Sequence, residues 1–267
     1  MRQYSGMRST AKTLACGLTL SACLLASCAT EPQTRVLATA NSSECVVLLH
    51  GLNRSWRMMQ PMAEALQEAG FSAVNVDYPS QLGTIEQIAP VAVRLGIQSC
   101  QSAGASKVHF VTHSIGGILL RYENEREPIE NLGRVVMLGP PNQGSELIDR
   151  TMDWPGMEVV SGPAGMQLGT DANSMPSRLG PIDFELGVIA GTRTVNVLAS
   201  AMLPDIDDGK VTVARTRVDG MSDFLVVERS HRYISRGDVV VRNTESFLKT
   251  GRFLDADRLA ASQTDFN

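Results

Sequence analysis

The chain has 267 residues, 43% hydrophobic and 19% charged, which is enough apolar material for a sizeable core and too little charge for a disordered chain. Lys plus Arg number 24 against 28 Asp plus Glu, and the formal net charge of -4 excludes a basic nucleic-acid footprint. The four histidines (50, 109, 113 and 231) and five cysteines contain no CxxC spacing, so no structural zinc pattern is present and no metal or organic cofactor is implied.

Residues 1–27 read as an address. Arg2, Arg8 and Lys12 precede an uncharged apolar run, TLACGLTLSACLLAS, over Thr13–Ser27. At about 15 residues it is shorter than the roughly 20 that span a bilayer as a helix. Leu25-Ala26-Ser27-Cys28 follows and resembles the bacterial lipobox, in which cleavage leaves an acylated cysteine. This resemblance implies a lipid anchor on Cys28 and an envelope location, an outer-membrane lipoprotein facing the periplasm; the alternative is a plain secretory signal and a soluble protein. Loss of residues 1–27 leaves 21 basic and 28 acidic residues, net -7, so attachment would rest on lipid and not on a basic patch. Cys45 and Cys100 remain in the body, where an oxidising compartment permits a disulfide.

Residues 28–44 are polar, lack a sustained period and read as a tether. Apolar β-forming runs and helical stretches then alternate: strands at 45–50, 71–76, 108–112 and 134–138, with helices at 58–69, 85–100 and 115–125. The continuous apolar run CVVLLH at 45–50 suits a strand buried on both faces. This alternation predicts a single α/β domain over 45–255, a mostly parallel sheet with helices on both faces. The pattern lapses over 139–187, rich in Gly, Pro, Asn and Ser, which reads as a cap-like excursion with Trp154, Met157 and Met166 as candidate pocket residues. Met58, Met59 and Met62 with Leu66 read as core. A strand at 188–190, a last strand at 225–227, a closing helix at 239–250 and a tail at 256–267 complete the reading.

The chemistry concentrates in Val108-His109-Phe110-Val111-Thr112-His113-Ser114-Ile115-Gly116-Gly117. A strand meets a sharp turn, Ser114 stands at its tip, and a helix follows whose N-terminus favours developing negative charge. Gly116 permits close approach of helix and strand. Thr112-His113-Ser114-Ile115-Gly116-Gly117 resembles the nucleophile elbow of α/β-hydrolase lipases and esterases, and His50-Gly51-Leu52 resembles their oxyanion segment. Thr112 stands where that family's pattern has its first glycine. The resemblance spans about 45–253 and includes Pro140-Pro141-Asn142-Gln143-Gly144-Ser145.

The resemblance implies the α/β-hydrolase fold, with Ser114 as nucleophile and the base after the last strand, at His231. Of the other histidines, His50 suits a brace for the oxyanion loop beside Gly51, His109 a packed strand residue, and His113 a side chain diverging from Ser114. The acid lies among Asp205, Asp207, Asp208, Asp219 and Asp223; the resemblance favours Asp208, before Gly209, with Asp207 as its rival. Backbone N–H groups of Leu52 and Ile115 would form the oxyanion hole. The implied activity is hydrolysis of acyl esters, lipids included, through an acyl-serine. An acyltransferase using the same intermediate and a non-catalytic envelope lipoprotein are the alternatives. Oligomeric state is not legible.

Overall fold

The computed structural model describes residue 1 and residues 31–39 and 42–255; the leader, Cys28 and the tail lie outside the described residues. The strands are β1 (Gln33–Leu37), β2 (Glu44–Leu49), β3 (Ser72–Asp77), β4 (Lys107–His113), β5 (Leu132–Leu138), β6 (Leu186–Gly191) and β7 (Asp223–Val227). They form one sheet in the order β1-β3-β2-β4-β5-β6-β7. Only β1 is antiparallel to its neighbour; β2 to β7 run parallel. The helices are α1 (Gln60–Glu68), α2 (Ile85–Ser102), α3 (Ile115–Arg126), α4 (Glu146–Thr151), α5 (Met157–Met166), α6 (Met175–Arg178), α7 (Val197–Ser200), α8 (Val213–Thr216) and α9 (Asp238–Thr250).

The sheet is buried on both faces because its central strands are apolar throughout. Successive side chains of a strand point to opposite faces. In β2, Cys45, Val47 and Leu49 enter the core shared with α2 and α3, while Val46 and Leu48 enter the core shared with α1 and α9. Met59, Met62 and Leu66 are fully buried in the second core, and Met58 is nearly so. Gly96 sets the closeness of α2 to the sheet: a Cβ there would stand 2.4 Å from Val47 Cγ1.

The polar stretch expected as a tether departs from that expectation. Gln33–Leu37 pairs along β3, from Gln33 opposite Asp77 to Leu37 opposite Ala73. The strand is half exposed, so no run of apolar residues marks it; the Arg35 guanidinium lies 3.6 Å from the Trp56 ring centroid and fastens it. The excursion at 139–187 carries α4, α5 and α6, and β6 begins two residues earlier than expected. Residues 56–58 form a short 3-10 turn, and α1 starts at Gln60 with Pro61 in its first turn, where the missing N–H costs little.

Cys45 and Cys100 are joined by a disulfide between the start of β2 and the end of α2, with Cα atoms 5.7 Å apart and a sequence separation of 55. Closing a loop of that length stabilises by about 4 kcal/mol in the chain-entropy picture. Thiol titration of the denatured, unreduced domain is therefore expected to find neither Cys45 nor Cys100 free. The Cys45→Ala/Cys100→Ala variant should lose several kcal/mol in a denaturant titration; an unchanged midpoint would refute that contribution.

Candidate active site

The site is built at the carboxyl ends of the parallel strands. At the end of β4, Ser114 adopts φ 55° and ψ -125°, one of two described non-glycine residues with positive φ. Strand pairing on one side and α3 on the other hold it: its N–H donates to the Leu138 carbonyl at 3.0 Å, and its carbonyl accepts the Gly117 N–H at 3.0 Å. Gly116 is required by proximity, since a Cβ there would lie 2.9 Å from the Leu49 carbonyl oxygen. Gly117 answers the family departure at Thr112: a Cβ at 117 would stand 3.3 Å from Thr112 Oγ1 and 3.0 Å from Met137 Sδ. A glycine one turn into the helix thus makes room for the side chain that the elbow's usual glycine would lack.

The loop after β2 is braced from inside. The buried His50 ring stacks on Tyr78, with centroids 4.0 Å apart and planes 8° from parallel. Its Nδ1 donates to the Gly51 carbonyl at 2.9 Å, its Nε2 accepts the Tyr78 N–H at 3.3 Å, and the Tyr78 hydroxyl donates to the His50 carbonyl. His50 Nε2 also lies 3.5 Å from Asp77 Oδ1. Gly51 packs directly on His113: a Cβ there would be 2.4 Å from His113 Nδ1. Leu52 follows, its side chain against Gly165 of α5. Ile115 heads α3, so its N–H has no intrahelical acceptor.

The two neighbouring aspartates of the turn after α7 face different partners. Asp208 Oδ2 lies 2.7 Å from His231 Nδ1, while its Oδ1 accepts the N–H groups of Lys210 at 3.0 Å and Val211 at 2.9 Å. Asp207 is turned away and takes Ser200 Oγ and the Gly209 N–H, both at 2.6 Å. His231 Nε2 in turn lies 2.9 Å from Ser114 Oγ. A second strut joins the backbones, the His231 N–H donating to the Asp208 carbonyl at 2.9 Å. Exposure falls along the line, from 13% for the His231 side chain to 0% for that of Asp208. The Nδ1–H tautomer that donates to Asp208 leaves Nε2 free to accept the serine proton. Asp205 is exposed, Asp219 lies in the loop after α8, and Asp223 opens β7; none of these is bonded to His231.

Three contributions escaped the sequence reading. Gly139, at φ 55°, leaves the space in which acid and base meet: a Cβ there would be 2.9 Å from Asp208 Oδ2 and 3.2 Å from His231 Nδ1. His113, expected simply to diverge from Ser114, donates from Nε2 to the His231 carbonyl at 2.9 Å and so ties the base's backbone to the nucleophile's strand. Burial, then the nearby His231, pull its pKa well below 6.5, so it stays neutral, and its contribution to stability is lost as acid protonates it. The Pro140–Ser145 stretch serves the acid turn. Ser145 Oγ donates to the Lys210 carbonyl at 2.7 Å, and Asn142 Nδ2 to the Thr216 carbonyl at 2.9 Å. The buried Arg121 guanidinium holds Asn142, Leu179 and Gly180 by their carbonyls. A positive-φ glycine closing a strand and a polar motif with no other duty were the available signals. His109 is packed as expected, with Nδ1 accepting the Arg134 N–H at 2.8 Å. Of the expected pocket residues, Trp154 is 55% exposed, whereas Met157 and Met166 are half-buried.

Residues 46–261 match the Alpha/beta hydrolase family over most of the chain. The chain belongs to that family. Among solved structures, a Bacillus licheniformis lipase in its mature form superposes at TM-score 0.64 with 19% identity, covering 83% of this chain and 98% of that one. Phospholipase PlaB from Legionella pneumophila gives 0.62 at 16% identity over 83% of this chain and 63% of that one. An enol-lactonase from Burkholderia xenovorans gives 0.53 at 18% identity, over 82% of this chain and 96% of that one. At such identities the likeness is one of fold. No curated protein matches the sequence. Among the described residues no group of His, Cys, Asp and Glu is arranged to hold a metal, and no helix is long and apolar enough to cross a membrane.

Three substitutions test this geometry. Asp208→Asn should lower turnover by a factor on the order of 10⁴ with the fold intact, while Asp207→Asn should cost far less; the reverse order would place the acid at 207. Gly139→Ala should drive a methyl into the Asp208–His231 contact and lower turnover on the order of a hundredfold, a kinetic loss that an unaltered far-ultraviolet circular dichroism spectrum would separate from misfolding.

Proposed function

We propose that this α/β hydrolase is a serine hydrolase that cleaves acyl esters, lipid esters included, through an acyl-serine intermediate. The observation that carries the reading is the unbroken line from Ser114 Oγ to His231 Nε2 at 2.9 Å and from His231 Nδ1 to Asp208 Oδ2 at 2.7 Å. A serine hydroxyl is a weak nucleophile at its own pKa and needs a base in hydrogen-bond reach. His231 Nε2 takes the hydroxyl proton as Ser114 Oγ bonds to the ester carbonyl carbon. Asp208 fixes the imidazole tautomer and stabilises the imidazolium. The negative charge developing on the carbonyl oxygen is received by the N–H groups of Ile115 and Leu52. On collapse the ester C–O bond breaks and His231 returns the proton to the departing alkoxide. Water then attacks the acyl-serine, giving its proton to His231, and the acid leaves as Ser114 regains its hydrogen.

The same reading places the enzyme in a bacterial envelope, held by lipid on Cys28. The basic, then apolar, then Leu25-Ala26-Ser27-Cys28 order of the leader supports it, as does the Cys45–Cys100 disulfide, which suits an oxidising compartment.

Fluorophosphonate labelling of the folded mature domain, mapped by peptide mass spectrometry, tests the assignment. A single adduct on Ser114, absent from Ser114→Ala, is expected. Folded protein that takes no label would sink the hydrolase reading in favour of a binding protein with a hydrolase fold.

A further inference from the structure

A cleft of about 550 Å³ opens beside the candidate active site, between the loop that follows β2 and the loop that carries His231. Arg54, Arg57, Arg232 and Arg236 line it, and no Asp or Glu does. Its position is tied to the chemistry through the chain: Arg54 is two residues past Leu52, and Arg232 directly follows His231. Arg54 also acts electrostatically on the buried His113, next to Ser114.

Four arginines elsewhere in the molecule are neutralised by glutamates. Arg94 and Arg126 pair with Glu123, Arg134 with Glu185, and Arg215 with Glu146. Among the described residues, none of the four cleft arginines has a carboxylate within ion-pair distance. Arg54 also borders a neighbouring cavity with Glu31 and Asp77, again without pairing to either. Among the described residues the aromatic contacts of the cleft guanidiniums are loose, Arg57 at 5.0 Å from the Trp56 ring and Arg232 at 5.7 Å from that of Tyr233. Partial burial and then repulsion from Arg232 lower the Arg54 pKa. Lys210, in the acid turn, adds a fifth cation within reach of Arg54; enclosure of its ammonium and then Arg54 lower its pKa. An acidic chain thus gathers four guanidiniums without a carboxylate partner in one cleft. Unlike a lone surface lysine, four guanidiniums around one cavity repel one another and gain most from an oxyanion, whose geometry their planar forks match.

We infer that the Arg54–Arg57–Arg232–Arg236 cleft binds an oxyanionic group, a phosphate or a carboxylate, carried by the ester whose carbonyl is presented to Ser114. The inference rests on the serine hydrolase reading and adds the charge class of its substrate. Binding the anion in the cleft would anchor the substrate while its carbonyl reaches the oxyanion donors, two residues from Arg54. The anion makes the same contacts before and during acyl transfer, so its contribution falls on KM more than on kcat.

The test compares two soluble esters of one short acyl group, one with a neutral and one with a phosphate-bearing alcohol portion, on the mature domain. The wild type should prefer the phosphate ester in kcat/KM by about tenfold or more, the amount expected from one or two charge-assisted hydrogen bonds. The Arg54→Gln/Arg232→Gln variant, and separately Arg57→Gln/Arg236→Gln on the other side of the cleft, should reduce the ratio of the two kcat/KM values about tenfold, through KM. Raising the ionic strength to about 1 M should compress the wild-type ratio. A wild-type ratio near one, or a ratio unchanged in both variants, overturns the inference while neutral-ester turnover keeps the hydrolase reading standing. Inorganic phosphate serves as the free-anion arm: inhibition of neutral-ester turnover without any preference for the phosphate ester would assign the cleft to a free anion and overturn the substrate claim. Absence of turnover with both esters, together with absence of fluorophosphonate labelling, would remove the hydrolase reading and this inference with it.

Discussion

The backbone of Ser114, at φ 55° and ψ -125°, lies in a region that a serine does not hold by itself, and its retention depends on two neighbours acting together. Strand β4 runs straight into the turn while paired to β5, and α3 leaves it at once, lying so close to the end of β2 that only glycine fits at 116. Relaxing the turn would disrupt the strand pairing at Leu138 or the seating of α3 on Leu49. The strain is therefore borne by the two buried faces of the sheet, and the hydroxyl stays aimed above its carboxyl edge.

The partners of that hydroxyl come from far along the chain, and each is held by backbone. Asp208 accepts two N–H groups of its own turn, and that turn is fastened through the Lys210 carbonyl to Ser145. His231 is held by its N–H on Asp208 and its carbonyl on His113. Fixing the residue through main-chain bonds leaves both ring nitrogens to Asp208 and Ser114, the preorganisation that the proposed acyl transfer would need. Gly139 and Gly51 act by omission, since side chains there would occupy the space taken by the acid–base pair and by His113.

Charge is distributed unevenly around this centre. Arg94, Arg126, Arg134 and Arg215 are matched to glutamates, which neutralises them in place. The four arginines of the cleft have no carboxylate partner among the described residues, and they stand on the loops that also carry Leu52 and His231 in an otherwise acidic protein.

Much of this was legible along the chain. The alternation of apolar runs and helical stretches specified the parallel sheet, because strands buried on both faces must be apolar throughout, as CVVLLH is. The Thr112–Gly117 and His50–Leu52 segments carried the elbow and the loop, since local backbone geometry demands particular residues at adjacent positions. The edge strand Gln33–Leu37 was hidden because a half-wet strand needs no apolar pattern. The excursion at 139–187 was recognised by length alone, as its helices are short and irregular.

Local sequence thus determined where the serine, its turn and its helix stand, because those features depend on residues a few positions apart; His231 was singled out by its order after the last strand in the resembled family. Tertiary structure decided which of Asp207 and Asp208 lies against His231, the bond from His113 to His231, the space left by Gly139, and the gathering of Arg54 and Arg57 with Arg232 and Arg236. Each of these joins segments tens to more than a hundred residues apart in the chain, and which atoms meet at such distances depends on how the elements pack, which no local pattern encodes.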